Sequence, residues 1–548
     1  MKDKVREAIH NALSELSIES DLEKITLDHP KNDEHGDLAT NVAMVYSKQA
    51  KKKPRDFAVE IVDAIKKGSD IFSDIQIAGP GFINFFLNEQ YWLDVVRDVN
   101  VSAGCFGSQA LNNKKVLIEF VSANPTGPLH IGHGRGAAVG DTLARIMKFA
   151  GYTVDTEYYI NDVGNQLFIL GSSVYARYCE LFGKDVEFKE NFYQGDYIKD
   201  IAARIKDKDG EKYIEMDEGA AISELGSMAG NEILDGIRDD LKDFSVEFDR
   251  WYSERTLVDS GKRDQAIADL KERGIIYEAE GAWWFKTTDF GDEKDRVVIK
   301  ADGAMTYFAS DIAYHKEKYE RGYDEIVDIW GADHHGYVAR ITAVIEAMGH
   351  DKKSFTALLI QLVHLLRDGE KVSMSTRAGK FDTLKEVVDD VGKDAARYFF
   401  MMRKADSHLN FDLELAKKQS SENPVYYVQY AHARICSIIK NAKEKGASIP
   451  ESIADATWAL DSKEEINIIK QLWVMPEVIK NSAEEKEPHK VAFYAYELAS
   501  LFHTFYNKHR VLVEDEKISQ SRLFLVQAIR HAIKNCLRIL GITAPETM

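Results

Sequence analysis

KKVLIEFVSANPTGPLHIGHGRGAAVGDTLARIMKFAGYTVDTEYYI, residues 114–160, is the stretch that decides the fold. The apolar run Val116–Val121 suits a strand buried on both faces of a parallel sheet. After the turn SANPTGPLHIGHG, the side chains Val139, Leu143, Ile146, Met147 and Ala150 share one helical face, and Gly151 supplies a stop. TVDTEYYI at 153–160 reads as the next strand, so the stretch is a βαβ unit. The alternation returns downstream: DEIVDIW at 324–330 as a strand, GADHHG as a turn, YVARITAVIEAMG as a helix ending at Gly349, and ALLIQLVHLL at 357–366 as one more strand. Between the two halves, residues from about 165 to 260 are highly charged and helical in pattern, and read as an insertion. We therefore expect an α/β domain over 111–380.

On the N-terminal side, residues 1–110 predict a small α+β domain. Val5, Ala8, Ile9, Ala12, Leu13 and Leu16 have helical spacing, and IQIAGPGFINFFL at 75–87 reads as two strands around Gly-Pro-Gly. The basic run KKKPR at 51–55 is either a solvated helix start or a functional patch. On the C-terminal side, strand signals stop near residue 380; a connecting helical segment over 381–420 and an all-α bundle over 421–548 follow.

Composition narrows the class. With 45 % hydrophobic and 29 % charged residues the chain is an ordinary globular protein, and 548 residues suggest roughly three to four domains. Seventy-one Lys+Arg against 90 Asp+Glu give a net charge of −19, which argues against a general nucleic-acid coat protein. The charge is uneven, because 421–548 hold equal numbers of acids and bases and so present the end least repulsive to a polyanion. Four scattered cysteines without a CxxC pair argue against a disulfide scaffold or a thiolate zinc site, and for a reducing compartment. No run of about 18 apolar residues suggests a membrane span, and the charged N-terminus is not a secretory signal. A cytoplasmic monomer is expected.

PLHIGHG at 128–134 carries the sharpest chemistry. Its glycines allow a ligand close to the backbone, and the helix start offers free N–H groups to phosphate. His130 and His133 can donate to phosphate oxygens as charge develops; they could also form a metal half-site or cap the helix. In that setting HIGH resembles the ATP-binding signature of class I aminoacyl-tRNA synthetases and related nucleotidyltransferases, and the wider EFVSANPTGPLHIGH at 119–133 resembles the arginyl-tRNA synthetase family. Further segments resemble the same family, in order: HGDLATNVAM (35–44), AGPGFINFFL (78–87), YYINDVGNQ (158–166), TYFASDIAYH (306–315), GADHHGYV (331–338), MSTRAG (374–379), ENPVYYVQYAHARI (422–435) and ELASLFHTFYNKHRVL (497–512). The resemblance implies a Rossmann-type class I synthetase catalytic domain between an N-terminal domain that touches the tRNA elbow and a helical anticodon-binding domain.

What the resemblance implies for residues is specific. Pro128, His130, Gly132, His133, Gly331 and Asp333 would bind ATP, with Asp333 on the ribose; the alternative for Asp333 is an N-cap. Met374 and Ser375 would belong to the phosphate loop. Its two usual lysines are replaced here by Ser373 and Thr376, leaving Lys371, Arg377 and Lys380 as the available cations; Arg377 and Lys371 are the expected catalytic ones. Glu119, Ser122, Asn124, Tyr307, Asp311 and His334 would bind arginine, whose fork of donors calls for carboxylates. Aromatic and basic residues are interleaved in the C-terminal helices; most, including Phe502 and Phe505, are expected to pack, with Tyr506 and Asn507 left as tRNA contacts.

The implied activity is ATP- and Mg²⁺-dependent joining of L-arginine to tRNA(Arg), with activation requiring bound tRNA. The insertion is too short for a separate hydrolytic domain, and a pocket that must pair a guanidinium needs no editing site. The rival readings are another class I synthetase, a small-molecule adenylyltransferase sharing HxGH, and a non-enzymatic RNA-binding relative.

Overall fold

The computed structural model describes residues 2–30, 32–367, 369–371, 383–447, 450–454 and 457–548. In the N-terminal segment, β1 (Leu38–Thr40), β2 (Phe72–Ala78) and β3 (Phe82–Leu87) form an antiparallel sheet in the order β1-β3-β2. The helix Lys2–Glu15 buries Val5, Ile9, Ala12 and Leu13, four of the six apolar positions picked out by spacing. KKKPR is a helix start: Pro54 occupies the first turn of Pro54–Gly68, where its missing N–H costs nothing.

The α/β segment holds β4 (Lys115–Glu119), β5 (Thr153–Ile160), β6 (Arg250–Ser253), β7 (Ile276–Ala279), β8 (Ala282–Phe285), β9 (Arg296–Ile299), β10 (Glu325–Gly331) and β11 (Phe355–Ile360). Five of these form one parallel sheet in the order β11-β10-β4-β5-β6. The chain runs outward from β4 through β5 to β6, then returns to the other side of β4 with β10 and β11. The direction of winding therefore reverses between β4 and β10, where open α/β sheets leave a crevice beyond the strand ends. Helix Ile131–Phe149 connects β4 to β5, and Gly140 lies so close to the Phe120 ring that a Cβ would overlap it.

Three expectations are corrected. The stretch 357–366 is not one strand: β11 ends at Ile360, and Val363–Arg367 forms β12 in a second sheet with β13 (Glu370–Lys371) and β14 (Leu409–Asp412). A continuous apolar run does not reveal a change of sheet. Strands also do not stop at 380, because β14 pairs in parallel with β12; at four residues it is too short to show a period. The charged insertion ends earlier than 260, since Arg250–Ser253 is the edge strand of the main sheet. The antiparallel sheet β7-β8-β9 is a further feature that the sequence reading did not separate.

The C-terminal segment is helical as expected, with Pro424–Glu444, Lys463–Glu484, His489–Lys508 and Glu516–Ile539. It is stitched to the rest by buried polar contacts. Arg397 is fully buried, donating to Leu540 O (2.8 Å), Phe244 O (3.1 Å) and the Asp141 carboxylate, and so ties the helix after β4, the insertion and the chain's end together. Burial lowers the pKa of this guanidinium, and the Asp141 carboxylate beside it pulls the other way.

Candidate active site

Glu119 closes β4 and Asp328 lies directly opposite it on β10, in parallel register across the point of reversal. Beyond Glu119 the backbone turns sharply: Val121 and Ser122 have φ of 68° and 40°, a left-handed conformation that costs about 1–3 kcal/mol per non-glycine residue. The turn brings Ser122 Oγ to donate to Glu119 Oε1 at 2.8 Å and to accept from Tyr159 N at 3.1 Å. Strain here is spent on aiming side chains into the crevice.

The crevice is a cavity of about 460 Å³, and all six residues expected to bind arginine line it: Glu119, Ser122, Asn124, Tyr307, Asp311 and His334. Gly331 lines it too. Asp311 accepts from the Tyr337 hydroxyl. Burial raises the Asp311 carboxyl above the ordinary aspartate range, against the lowering effect of that hydroxyl. Burial likewise raises Glu119, although the Lys318 ammonium beside it pulls the other way.

Sequence reasoning missed the layer behind these acids. Lys318 is fully buried, donating to Glu119 Oε2 and, at 2.7 Å, to Asp328 Oδ1. His315 faces Asp328 Oδ2 at 3.0 Å through Nε2 and the Asp311 carbonyl at 2.8 Å through Nδ1. Burial opposes the charge on Asp328, but Lys318 and His315 prevail and hold its carboxyl below the usual range. A signal was available: Tyr307, Asp311, His315 and Lys318 recur at steps of 4, 4 and 3 along one helix, Tyr307–Glu320, and so share a face.

At the start of Ile131–Phe149 the two histidines cap their own helix. His130 Nδ1 accepts from Gly132 N (3.0 Å) and His133 N (3.4 Å), while His133 Nδ1 accepts from His130 N (3.3 Å). The capping alternative is thus realised, and it does not compete with phosphate binding: with both Nδ1 atoms accepting, each neutral ring carries its proton on Nε2, as a donor. Burial lowers the pKa of His130, and burial with the neighbouring His130 takes His133 down to about 3. At Gly132 a Cβ would sit 2.9 Å from the His130 ring, so a side chain there would push the capping imidazole aside.

The remaining expected residues divide. Asp333 caps nothing: the helix His335–Ala347 begins at His334 without a side-chain cap, and the Asp333 side chain is 83 % exposed and 3.7 Å from His334. The N-cap alternative is ruled out. Lys371 is exposed on β13. Met374, Ser375, Arg377 and Lys380 lie outside the described residues, but Thr383 beyond them bridges to His130, and Leu384 N donates to Leu129 O at 2.8 Å. Tyr506 and Asn507 are far along the chain in a second cavity of about 450 Å³ on the helical bundle, shared with Lys445, Lys508 and Arg510. Tyr506 is partly exposed under the Arg434 guanidinium (4.9 Å), whereas Phe502 and Phe505 are fully buried, as expected of core.

A parallel sheet with a histidine-capped helix start and an acid-lined cavity at its point of reversal, followed by a helical bundle, is the arrangement of a class I aminoacyl-tRNA synthetase. Residues 95–439 match the family of class I (R) tRNA synthetase catalytic domains, 3–87 the arginyl tRNA synthetase N-terminal domain, and 428–548 the DALR anticodon-binding domain. The chain is 50 % identical to an arginine–tRNA ligase of Syntrophotalea carbinolica over the full length of both, and 51 % identical to one of Geobacter sp. strain M21 over 96 % of this chain and 95 % of that one. The fold is shared with the Thermus thermophilus arginyl-tRNA synthetase at TM-score 0.76 and 22 % identity, over 100 % of this chain and 99 % of that chain. The chain belongs to the arginyl-tRNA synthetase family.

Proposed function

We propose that the protein ligates L-arginine to tRNA(Arg) in two steps. The arginine carboxylate attacks the α-phosphate of ATP, giving arginyl-adenylate and pyrophosphate; the terminal ribose hydroxyl of the tRNA then attacks the adenylate carbonyl and releases AMP. Neither step forms a covalent bond to the enzyme, so positioning and charge stabilisation supply the rate. The observation that carries the reading is the convergence of Glu119 and Asp311 on one cavity at the end of the strand that leads to His130.

The guanidinium is held between Glu119 and Asp311, with Tyr307 and His334 at the mouth and Ser122 and Asn124 along the β4 turn. An apolar or neutral analogue would leave Asp311 without a cation and the free edge of Glu119 without a donor, which gives discrimination without editing. His130 and His133 donate through Nε2 to the α-phosphoryl oxygens, and Pro128 and Gly132 let the nucleotide lie against the helix start. Gly331 and Asp333 take the adenosine. In the phosphate loop, Met374 and Ser375 contact ATP while Lys371 and Arg377 supply the charge that two lysines usually provide.

Magnesium enters with the nucleotide. It is carried by the ATP phosphates as Mg²⁺–ATP, with waters completing its shell. Tyr506 and Asn507 contact the tRNA in the C-terminal cavity. Among the described residues no helix is long and apolar enough to cross a membrane.

Charging of a total tRNA pool with each amino acid in turn tests the reading. Arginine alone should be esterified, with Mg²⁺–ATP consumed and AMP formed; esterification of a different amino acid, or AMP formation without tRNA charging, would refute it.

A further inference from the structure

The arginine cavity is backed by an ammonium of the protein's own. Lys318 lies two turns beyond Asp311 on the helix Tyr307–Glu320, with its side chain wholly buried behind the cavity wall. Its Nζ bonds to both wall carboxylates of the β4–β10 pair, Glu119 and Asp328, and lies 4.4 Å from the Tyr314 ring centroid. Tyr314 is fixed in turn by its hydroxyl donating to Glu157 at 2.6 Å, and Glu157 is engaged by Arg321. The ammonium is therefore held between two carboxylates and a fixed ring.

An ammonium is a compact point charge that needs acceptors converging on one spot, whereas a guanidinium spreads its donors over a planar fork. The spot where Glu119 and Asp328 converge is already filled. What still faces the cavity is the Oε1 edge of Glu119 and Asp311, which among the described residues accept from the Ser122 and the Tyr337 hydroxyl respectively. A carboxylate can accept about four hydrogen bonds, so both retain capacity. Two separated acceptor edges suit a fork and serve a point charge poorly.

We propose that Lys318 is a specificity-determining positioning residue: a resident ammonium that takes the place a lysine substrate would need and fixes Glu119 so that its free edge, together with Asp311, accepts a guanidinium. This rests on the arginine reading of the cavity.

The test is ATP–pyrophosphate exchange by the full chain in the presence of tRNA, with arginine or lysine varied. Lys318→Ala should raise the KM for arginine by about 10- to 100-fold, the scale of losing a buried charge partner, while the KM for ATP stays within about twofold. The arginine-to-lysine preference should fall by about tenfold or more. Propylammonium, which matches the deleted atoms, should restore both in the variant and do neither in the wild type. Lys318→Met keeps the packing volume and carries the same KM split if the alanine variant does not fold. An unchanged preference for arginine over lysine, or arginine and ATP KM values rising together without rescue, would overturn the proposal. A wild-type protein that does not activate arginine at all would instead sink the reading beneath it.

Discussion

The rings of His130 and His133 stack with centroids 3.6 Å apart and planes 19° from parallel, each lending Nδ1 to the backbone at the helix start. One interaction therefore does two jobs: it caps the helix and it dictates which ring nitrogen keeps the proton. The two jobs can be separated. Asparagine is also a good N-cap. His130→Asn should keep the melting temperature near that of the wild type yet lower adenylate formation by about 10²–10³, the effect of losing one preorganised donor. His130→Ala should show the same loss of rate plus about 1 kcal/mol of stability. Thermal melts paired with ATP–pyrophosphate exchange would check this, and His130→Asn with normal turnover would refute the phosphate role.

The same rings predict how stability follows pH. Burial takes His133 from 6.5 down to about 3, so the unfolded chain takes up a proton before the folded one does. Stability on this account is intact above pH 6.5 and is lost as pH falls from there towards 3. The slope approaches 1.4 kcal/mol per pH unit for each such ring. Urea titrations between pH 8 and 5 should show a shallower dependence in His133→Asn than in the wild type.

Asp311 should trade stability for binding. Its folded-state pKa is raised, so the contribution to stability is present below the unfolded aspartate value and lost as pH rises through the raised one. At neutral pH the buried carboxylate is therefore a cost. Asp311→Asn should raise the melting temperature while raising the arginine KM by about 10- to 100-fold through loss of a charged hydrogen bond, with the ATP KM unchanged. A lower melting temperature, or equal effects on arginine and ATP, would contradict this placement.

Tyr506 and Phe505 are neighbours with opposite exposure, and their substitutions should separate cleanly. Tyr506→Ala should raise the tRNA KM by about tenfold, the scale of one lost base stack, and leave arginine and ATP untouched. Phe505→Ala opens a cavity in the bundle and should cost about 3–5 kcal/mol in denaturation. Filter binding with tRNA and a denaturant titration would distinguish them.

The sequence made the βαβ core legible because long apolar runs and a helix with a clean stop surround PLHIGHG, and β5 falls where its pattern placed it, at Thr153–Ile160. It made the acid pocket legible only through family resemblance, since Glu119 and Asp311 meet through strand order and not through spacing. Lys318 escaped notice because a lysine in a charged helix ordinarily faces solvent, and only the pairing of β4 with β10 creates the two carboxylates that bury it. The break between β11 and β12 escaped for a different reason: Ile360 and Val363 are both buried, so the apolar pattern runs straight through a change of sheet.

The most direct measurement is a ligand-bound crystal structure with a non-hydrolysable arginyl-adenylate analogue. The account predicts the guanidinium between Glu119 and Asp311, with Lys318 still on the far edge of Glu119, and the phosphate mimic within hydrogen-bond distance of Nε2 of His130 and His133. Density for the analogue elsewhere, or a guanidinium turned away from both acids, would contradict it.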